Sequence, residues 1–307
     1  MRILIVGAGG IGGYFGAKLM NAGADITFLL RSKRNQLIQS QGLQVETPKG
    51  SFTVHPKTLT SDQLGPDYDL IILAPKAFDL DDSLKSLSKA SSRGVLLPFL
   101  NGLSHIDLLD QRFGKARVMG GVAQIAATIT DTGAVKQLNE MHTLIVGHRS
   151  PEHEALAREF HDLCKKTDFN HAYSENIEQS LWDKWVFLAS LAGMTTLCRG
   201  AVGEIVATPY GSELIQALFE ECCTIAKACG NAIAETPRAK ALDMLTKAGS
   251  SFSSSMMRDL SSGQRTEHEH ILGEMIKRGI ATQIHCPLVK LAYTQIAVAQ
   301  AKTQGPA

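Results

Sequence analysis

A glycine-rich turn close to the N-terminus constrains the fold of this chain more than any other feature of its sequence. Residues 3–6 form an apolar run with the length of a buried strand, and residues 7–12, GAGGIG, match the pattern G-x-G-x-x-G directly after it. A helical pattern follows at once. In such a unit Gly7 permits the tight turn, Gly9 lets the backbone approach a pyrophosphate, and Gly12 lets the helix pack closely on the strand. The turn therefore predicts a dinucleotide-binding unit; a glycine-rich turn without a ligand is the alternative.

The start of this helix and the end of the second predicted strand indicate which dinucleotide is bound. Backbone N–H groups at the start of a helix form an anion site, contributed here by Gly10, Ile11 and Gly12. Arg31 follows the second strand, where NAD-binding chains usually carry an acidic residue for the ribose 2′-OH. A guanidinium suits a 2′-phosphate instead. The sequence therefore predicts NADP(H) as the cofactor; the alternative is that Arg31 and its basic neighbours only form a solvated helix start.

Strand and helix patterns alternate through the first half of the chain. Further apolar runs of strand length recur with helical patterns between several of them, and these runs cover residues 25–30, 69–74, 95–100, 117–123 and 143–146. Strands that alternate with helices predict a parallel sheet with crossover helices, so we expect an α/β Rossmann-type dinucleotide-binding domain. For residues 118–130 and 133–147, an antiparallel addition to the sheet edge is the alternative.

Beyond Pro151 the strand signals vanish and helical patterns continue towards the C-terminus. They cover residues 175–192, 209–230, 236–248, 253–261, 265–279 and 287–301. A short polar stretch near residues 167–171 separates two helical patterns. We therefore expect an NADP-binding domain over residues 1–168 and an all-α substrate-binding and catalytic domain over residues 169–307.

Composition limits the partners and the location of the protein. The chain carries 31 Lys and Arg side chains against 30 Asp and Glu, and this formal net charge of +1 gives no general attraction to nucleic acid. No apolar run approaches the ~20 residues that cross a bilayer, and the N-terminus lacks the pattern of a signal peptide. The six cysteines contain no C-x-x-C pair. These features predict a cytoplasmic protein that binds neither membranes nor nucleic acid.

The run EHEH at residues 267–270 is a candidate metal site that the spacing does not support. On a helix His268 and His270 do not share a face, and the run does not match H-E-x-x-H. We therefore expect a polar helix face and no bound metal.

Several separated motifs together resemble the ketopantoate reductase (2-dehydropantoate 2-reductase) family. The resemblance covers nearly the whole chain, and it is carried by ILIVGAGGIGGYFGAKL at the start, LAPKAFD at 73–79, LNG at 100–102, WDKW at 182–185 and SSMMRDLSSGQRTEHEHILGEM at 254–275. The glycine turn alone would be unspecific, whereas all these segments in this order are considerably more specific. The family implies a two-domain NADPH-dependent reductase of a 2-oxo acid.

The resemblance also implies a role for each polar residue in these motifs. Lys76 resembles the lysine at the cofactor edge near the nicotinamide ribose, and Asn101 the asparagine that fixes nicotinamide and substrate. Lys184 resembles the catalytic lysine, Glu267 the glutamate opposite it, and Ser255 the serine that binds the substrate carboxylate. The residues support part of this independently. Lys76 and Asn101 follow predicted strands, where ligands collect in open α/β sheets, and Lys184 lies in a largely apolar segment.

The substrate positions depart from the family pattern. Asparagines follow the catalytic lysine of the family at offsets of four and eight residues, where this chain has Leu188 and Ala192. Another asparagine lies three residues before the substrate serine, where this chain has Phe252. A site built around hydrogen bonds changes its specificity when those partners are lost. We therefore expect these apolar residues to line the substrate site and to alter what it accepts.

The resulting functional hypothesis is the NADPH-dependent reduction of a 2-oxo acid to a 2-hydroxy acid. The named candidate is 2-dehydropantoate, which would place the chain in pantothenate biosynthesis. The alternatives are a reductase of a more apolar 2-oxo acid, a non-catalytic NADP(H)-binding sensor, and a dehydrogenase of the opine or 6-phosphogluconate type. A homodimer formed through the helical half is compatible with the sequence.

Overall fold

The computed structural model describes residues 1–87 and 93–304. The chain forms two compact units. One comprises Met1–Leu100 and His105–Ser180, and the other comprises Asn101–Ser104 together with the described residues from Leu181 onward. The first unit is α/β and the second is helical. This confirms the predicted fold class, an α/β dinucleotide-binding domain of the Rossmann type followed by an all-α domain.

Strands and helices alternate along most of the first unit. In chain order the elements are β1 (Arg2–Val6), α1 (Gly10–Asn21), β2 (Asp25–Leu29), α2 (Ser32–Gln41), β3 (Leu43–Thr47), β4 (Gly50–Val54), β5 (Lys57–Leu59), β6 (Leu70–Leu73), α3 (Leu80–Ser86), β7 (Val95–Pro98), α4 (Ser104–Phe113), β8 (Gly120–Ile129), β9 (Val135–Gly147), α5 (Glu154–Cys164) and β10 (Asn170–Tyr173).

The first sheet is wholly parallel and carries the glycine turn. Its strand order is β5-β2-β1-β6-β7, with Ile5 opposite both Phe28 and Ile72. Every residue of β6 and β7 is buried, because a parallel sheet covered on both faces requires continuous apolar strands. This is why the apolar runs were sufficient to predict the strands. The carboxyl end of β1 leads directly into the turn.

The sequence offered an antiparallel addition to the edge of the first sheet for residues 118–130 and 133–147. The antiparallel pairing is correct, but the two strands belong to a different sheet. Strands β8 and β9 pair antiparallel over most of their length, with an irregularity between Ile125 and Ala127. They belong to a second sheet of order β10-β9-β3-β4, in which β8 pairs with β9. They do not extend the first sheet, because β9 pairs with β3 and β10 instead. A single bridge, Leu96 to Val118, links the β7 edge to the residues before β8.

The second unit contains helices of very different length. These are α6 (Ile177–Cys198), whose first residues belong to the first unit, then α7 (Val202–Val206), α8 (Gly211–Ala228), α9 (Glu235–Leu245), α10 (Ser255–Ser261), a π-helix (Glu269–Gly273), α11 (Glu274–Ala281) and α12 (Pro287–Gln304). Their core is large and apolar, and it includes the fully buried Trp185, Phe219 and Ile296. The predicted helix over residues 265–279 begins later than expected, after Glu267, and it opens with the π-helix Glu269–Gly273 before α11.

The compact units divide inside α6, between Ser180 and Leu181. The sequence places the division after residue 168, and that division stays a prediction. The two differ because β10, which the strand signals missed, pairs in parallel with β9 in the first unit. Within residues 1–87 and 93–304, no helix is both long and apolar enough to cross a membrane.

Candidate active site

The glycine turn between β1 and α1 has the geometry of a close backbone approach. Gly7 has φ +94°, a left-handed conformation that favours glycine. A Cβ at Gly12 would overlap the Gly7 carbonyl oxygen and lie 2.9 Å from the Ala74 Cβ, so only glycine fits there. A Cβ at Gly9 would meet no atom within 4 Å. The turn is therefore tightly packed at Gly12 and has free space beside Gly9.

This free space beside Gly9 fits the pyrophosphate of a dinucleotide. Helix α1 begins at Gly10, so the N–H groups of Gly10, Ile11 and Gly12 lie in its first turn, where a helix leaves its donors without intrahelical partners. The first turn of α1 contains no acidic side chain that would repel an anion. These residues could hold a phosphate through backbone donors and the helix dipole.

Arg31 and Lys76 lie on the surface of the first unit, as the sequence predicts for residues after strands. The Arg31 side chain is 73% exposed, and its Nη2 lies 2.8 Å from the Asp79 Oδ1. The hydrogen bond to Asp79 raises the pKa of the Arg31 guanidinium. Lys76 is exposed after β6 and precedes the short helical turn Ala77–Asp79. Both cations remain accessible to a phosphate, although Asp79 competes for Arg31.

Arg34 is a residue of this region whose contacts the sequence did not reveal. Its Nη2 donates to the Ala8 carbonyl oxygen at 3.0 Å, and its Nη1 donates to the Gly133 carbonyl oxygen at 2.5 Å. Burial lowers the pKa of Arg34. Arg34 thus ties the glycine turn to the turn between β8 and β9. The only sequence feature that points to Arg34 is its position in α2, three residues after Arg31.

In the second unit, one amide joins the predicted catalytic residues. Lys184 Nζ donates to Asn101 Oδ1 at 3.1 Å, and Asn101 Nδ2 donates to Glu267 Oε2 at 3.3 Å. The three residues come from α6, from the segment after β7 and from the residues before the π-helix, at sequence separations of 83 and 166. Glu267 is only 4% exposed. The ammonium and the carboxylate are therefore coupled through Asn101.

This environment changes the acidity of Lys184. Burial lowers the pKa of Lys184 to about 8, and the Glu267 carboxylate opposes that decrease. Lys184 lies in α6 between the buried Trp182 and Trp185, and burial is the larger of the two influences on its pKa. An ammonium with a pKa near neutrality can donate a proton and regain it readily.

The remaining predicted substrate residues lie in α6 and around the start of α10. Ser255 begins α10 and is partly buried; its neighbour Ser254 is the N-cap, whose Oγ accepts from the Met257 N–H at 3.0 Å. Ala192 is fully buried, and Leu188 and Phe252 are partly exposed.

One of the substituted positions, Phe252, has an aromatic contact. The Phe252 ring stacks on Phe187, with centroids 6.3 Å apart and an interplanar angle of 17°. Phe187 lies next to Leu188 in α6 and was missed by the sequence analysis.

The two histidines of the EHEH run have different partners. His268 Nδ1 lies 2.8 Å from the Thr266 Oγ1, whereas His270 Nδ1 lies 3.3 Å from the Ser104 Oγ. In the part of the chain that the structure describes, no three His, Cys, Asp or Glu side chains are grouped to hold a metal ion.

Comparison with known proteins gives consistent matches over nearly the whole chain. The family model described as ketopantoate reductase PanE/ApbA matches residues 3–151, and the model of its C-terminal part matches residues 176–300. The uncharacterized oxidoreductase YkpB of Bacillus subtilis (strain 168) is 30% identical over 303 residues, which cover 98% of this chain and 100% of that protein. A 2-dehydropantoate 2-reductase of Archaeoglobus fulgidus is 29% identical over 288 residues, which cover 93% of each chain.

A solved structure shows the same fold. The crystal structure of 2-dehydropantoate 2-reductase from Geobacter metallireducens GS-15 superposes with a TM-score of 0.88 at 27% identity. The match covers 97% of this chain and 100% of that one.

Proposed function

The chain belongs to the ketopantoate reductase PanE/ApbA family, whose members are NADP-dependent oxidoreductases acting on CH–OH and C=O groups, and from this premise we propose that Lys184 is its general acid. The family supports NADPH-dependent reduction of a 2-oxo acid. The observation that carries the proposal is the coupling of a partly buried ammonium to a buried carboxylate through one amide.

In the proposed reaction the residues of the first unit hold the cofactor. The backbone donors of Gly10, Ile11 and Gly12 would bind the pyrophosphate, Arg31 would bind the 2′-phosphate, and Lys76 would lie near the nicotinamide ribose. When bound there, NADPH would supply a hydride for the carbonyl carbon of the 2-oxo acid.

The residues of the second unit handle the proton. Lys184 stabilises the negative charge that develops on the carbonyl oxygen and donates its proton there, which gives the 2-hydroxy acid. Asn101 orients the ammonium through its Oδ1, and Glu267 holds the amide and favours the charged form of Lys184. We assign the substrate carboxylate to Ser255.

The first candidate substrate is 2-dehydropantoate, which would make the reaction a step of pantothenate biosynthesis. A more apolar 2-oxo acid is the second candidate, and the stacked Phe187 and Phe252 together with Leu188 favour it. Apolar side chains in place of amides leave a polar substrate group without partners, and this loss costs affinity. A cytoplasmic location and a homodimer belong to the same proposal.

The experiment is a panel of 2-oxo acids assayed by the loss of NADPH absorbance. The panel contains 2-dehydropantoate, pyruvate, 2-oxoisovalerate and phenylpyruvate. Turnover of 2-dehydropantoate supports the first candidate, and preference for phenylpyruvate supports the second. Tight NADPH binding without turnover of any acid would favour the sensor, and products of amine condensation or decarboxylation would indicate an opine or 6-phosphogluconate type dehydrogenase.

A further inference from the structure

The loop that carries Asn101 is fixed against the π-helix of the second unit. Gly102 has φ +78°, and a Cβ on it would overlap the His270 carbonyl oxygen. The backbone of the loop therefore lies directly on the backbone of the π-helix. A residue with a side chain could not occupy position 102 without moving one of the two segments.

A side-chain contact fixes the same loop at its far end. Ser104 Oγ lies 3.3 Å from His270 Nδ1, and both residues are partly buried. One residue further on, the Ile271 carbonyl oxygen accepts a hydrogen bond of 3.0 Å from Trp185 Nε1. A π turn widens the helix, and such turns are frequent at functional sites. The π-helix thus contacts both the Asn101 loop and the helix that carries Lys184.

We propose that His270 is a positioning residue, which acts through Ser104 to hold the loop where the Asn101 amide reaches both Lys184 and Glu267. Its catalytic consequence rests on the proposed function of Lys184. The His270 ring contacts the loop at Ser104, and the Asn101 amide of that loop bonds to both Lys184 and Glu267, so we assign the effect of His270 to the position of Asn101.

The contact does not depend on one charge state of His270. A neutral ring accepts the Ser104 hydroxyl proton at Nδ1, and an imidazolium donates to Ser104 Oγ instead. The charges that face His270 are Glu267, Glu269, Arg265 and Lys277, and burial lowers its pKa. Since both forms keep the bond to Ser104, we expect the loop to stay in place across the pH range of the assay.

The first test needs no turnover. Competitive acetylation of the folded protein, quantified by mass spectrometry for Lys184 at each pH, gives the pH at which this amine loses its proton. If His270→Ala releases the loop, Lys184 loses the Asn101 acceptor that favours its charged form, so its midpoint moves to lower pH. His270→Asn keeps a polar atom near the position of Nδ1 and restores the midpoint. An unchanged midpoint in His270→Ala overturns the proposal.

The second test uses kinetics and a partner variant. We expect Ser104→Ala and His270→Ala each to lower kcat about tenfold, with the KM for NADPH unchanged, and the double variant to lose no more than either single one. His285→Ala is the matched control, because His285 is an exposed histidine of the same unit. Additive losses in the double variant would refute action through one hydrogen bond.

The outcomes separate the two proposals. A wild type that reduces no 2-oxo acid refutes the proposed function, and the acetylation midpoints still decide whether His270 holds the loop. If His270→Ala does not fold, Ser104→Ala alone carries both tests. A midpoint at its wild-type value in Ser104→Ala then overturns the inference.

Discussion

The two units build their candidate sites from different materials. The glycine turn of the first unit consists of backbone within one short segment, whereas the second unit joins three side chains that are far apart in the sequence. Arg31 is an exposed cation beside Asp79, and Lys184 is a partly buried one whose pKa falls to about 8. A site made from backbone can be predicted from a local pattern, and a site made from distant side chains requires the fold.

Removal of the Lys184 amine should have the largest effect. We expect Lys184→Ala to lower kcat by roughly 10²–10⁴, because general acid catalysis contributes that factor. The NADPH dissociation constant should change far less than kcat, since we assign the pyrophosphate, 2′-phosphate and ribose contacts to the first unit. Lys240→Ala, an exposed lysine of α9, is the control. A near-normal kcat for Lys184→Ala would refute the assignment of the proton transfer to the second unit.

Alanine substitutions at Gly12 and Gly9 should have different effects, the first on stability and the second on the affinity for NADPH. Gly12→Ala forces a Cβ into the Gly7 carbonyl, and we expect a loss of about 1–3 kcal/mol in the free energy of unfolding. Gly9→Ala has room in the free protein, so its stability should stay near wild type while NADPH binds about tenfold more weakly. Urea unfolding and fluorescence titration measure the two quantities. Gly65→Ala is the control, since a Cβ there also meets no atom within 4 Å. Equal stability of the Gly12 and Gly9 variants would contradict this interpretation.

Exchange of the exposed cation should change preference rather than rate. We expect Arg31→Asp to weaken NADPH relative to NADH by about tenfold, because a carboxylate repels the 2′-phosphate and accepts from a 2′-OH. Asp79→Asn should strengthen NADPH binding a few-fold at low salt, because it removes the competing partner of Arg31. The ratio of kcat/KM for the two cofactors is the measurement. A wild type without preference would refute the 2′-phosphate assignment.

A side-chain pair in the first unit offers the smallest effect. His161 Nε2 lies 3.1 Å from His171 Nδ1, and burial, followed by the charge of His171, lowers the pKa of His161. The unfolded chain therefore binds more protons, so this contribution to stability is present above about pH 6.5 and is lost as the pH falls through the folded-state pKa. We expect His161→Gln to reduce the loss of melting temperature between pH 7 and pH 5 by about 1–2 °C, without a change in kcat. The same slope in wild type and variant would show that the pair is not titrated on unfolding.

The sequence predicted the elements whose pattern is local. β6 and β7 are continuous apolar runs, and the glycine turn follows a fixed spacing. β3 and β4 alternate polar and apolar residues, which is a strand signal that the sequence analysis missed, whereas β5 is short and β10 reads NHAY. In the structure β3 pairs with β9, β4 with β3, β5 with β2 and β10 with β9.

The candidate site could be predicted only in part, because its contacts join residues that are far apart in the sequence. The family resemblance selected Lys184, Asn101 and Glu267, but no spacing in the sequence shows that the amide lies between the other two. The contact of Arg34 with the Ala8 carbonyl and that of His270 with Ser104 likewise join segments that only folding brings together. The site assignments themselves remain predictions for the experiments above.

The membership of Asn101–Ser104 in the second unit has a consequence for how this protein can be divided. A truncated product that starts at Leu181 would retain Lys184 and Glu267 and would lack the amide that joins them. Residues Asn101–Ser104 lie in the N-terminal part of the sequence but belong to the second unit. No single break in the chain therefore yields two fragments that each contain one complete unit.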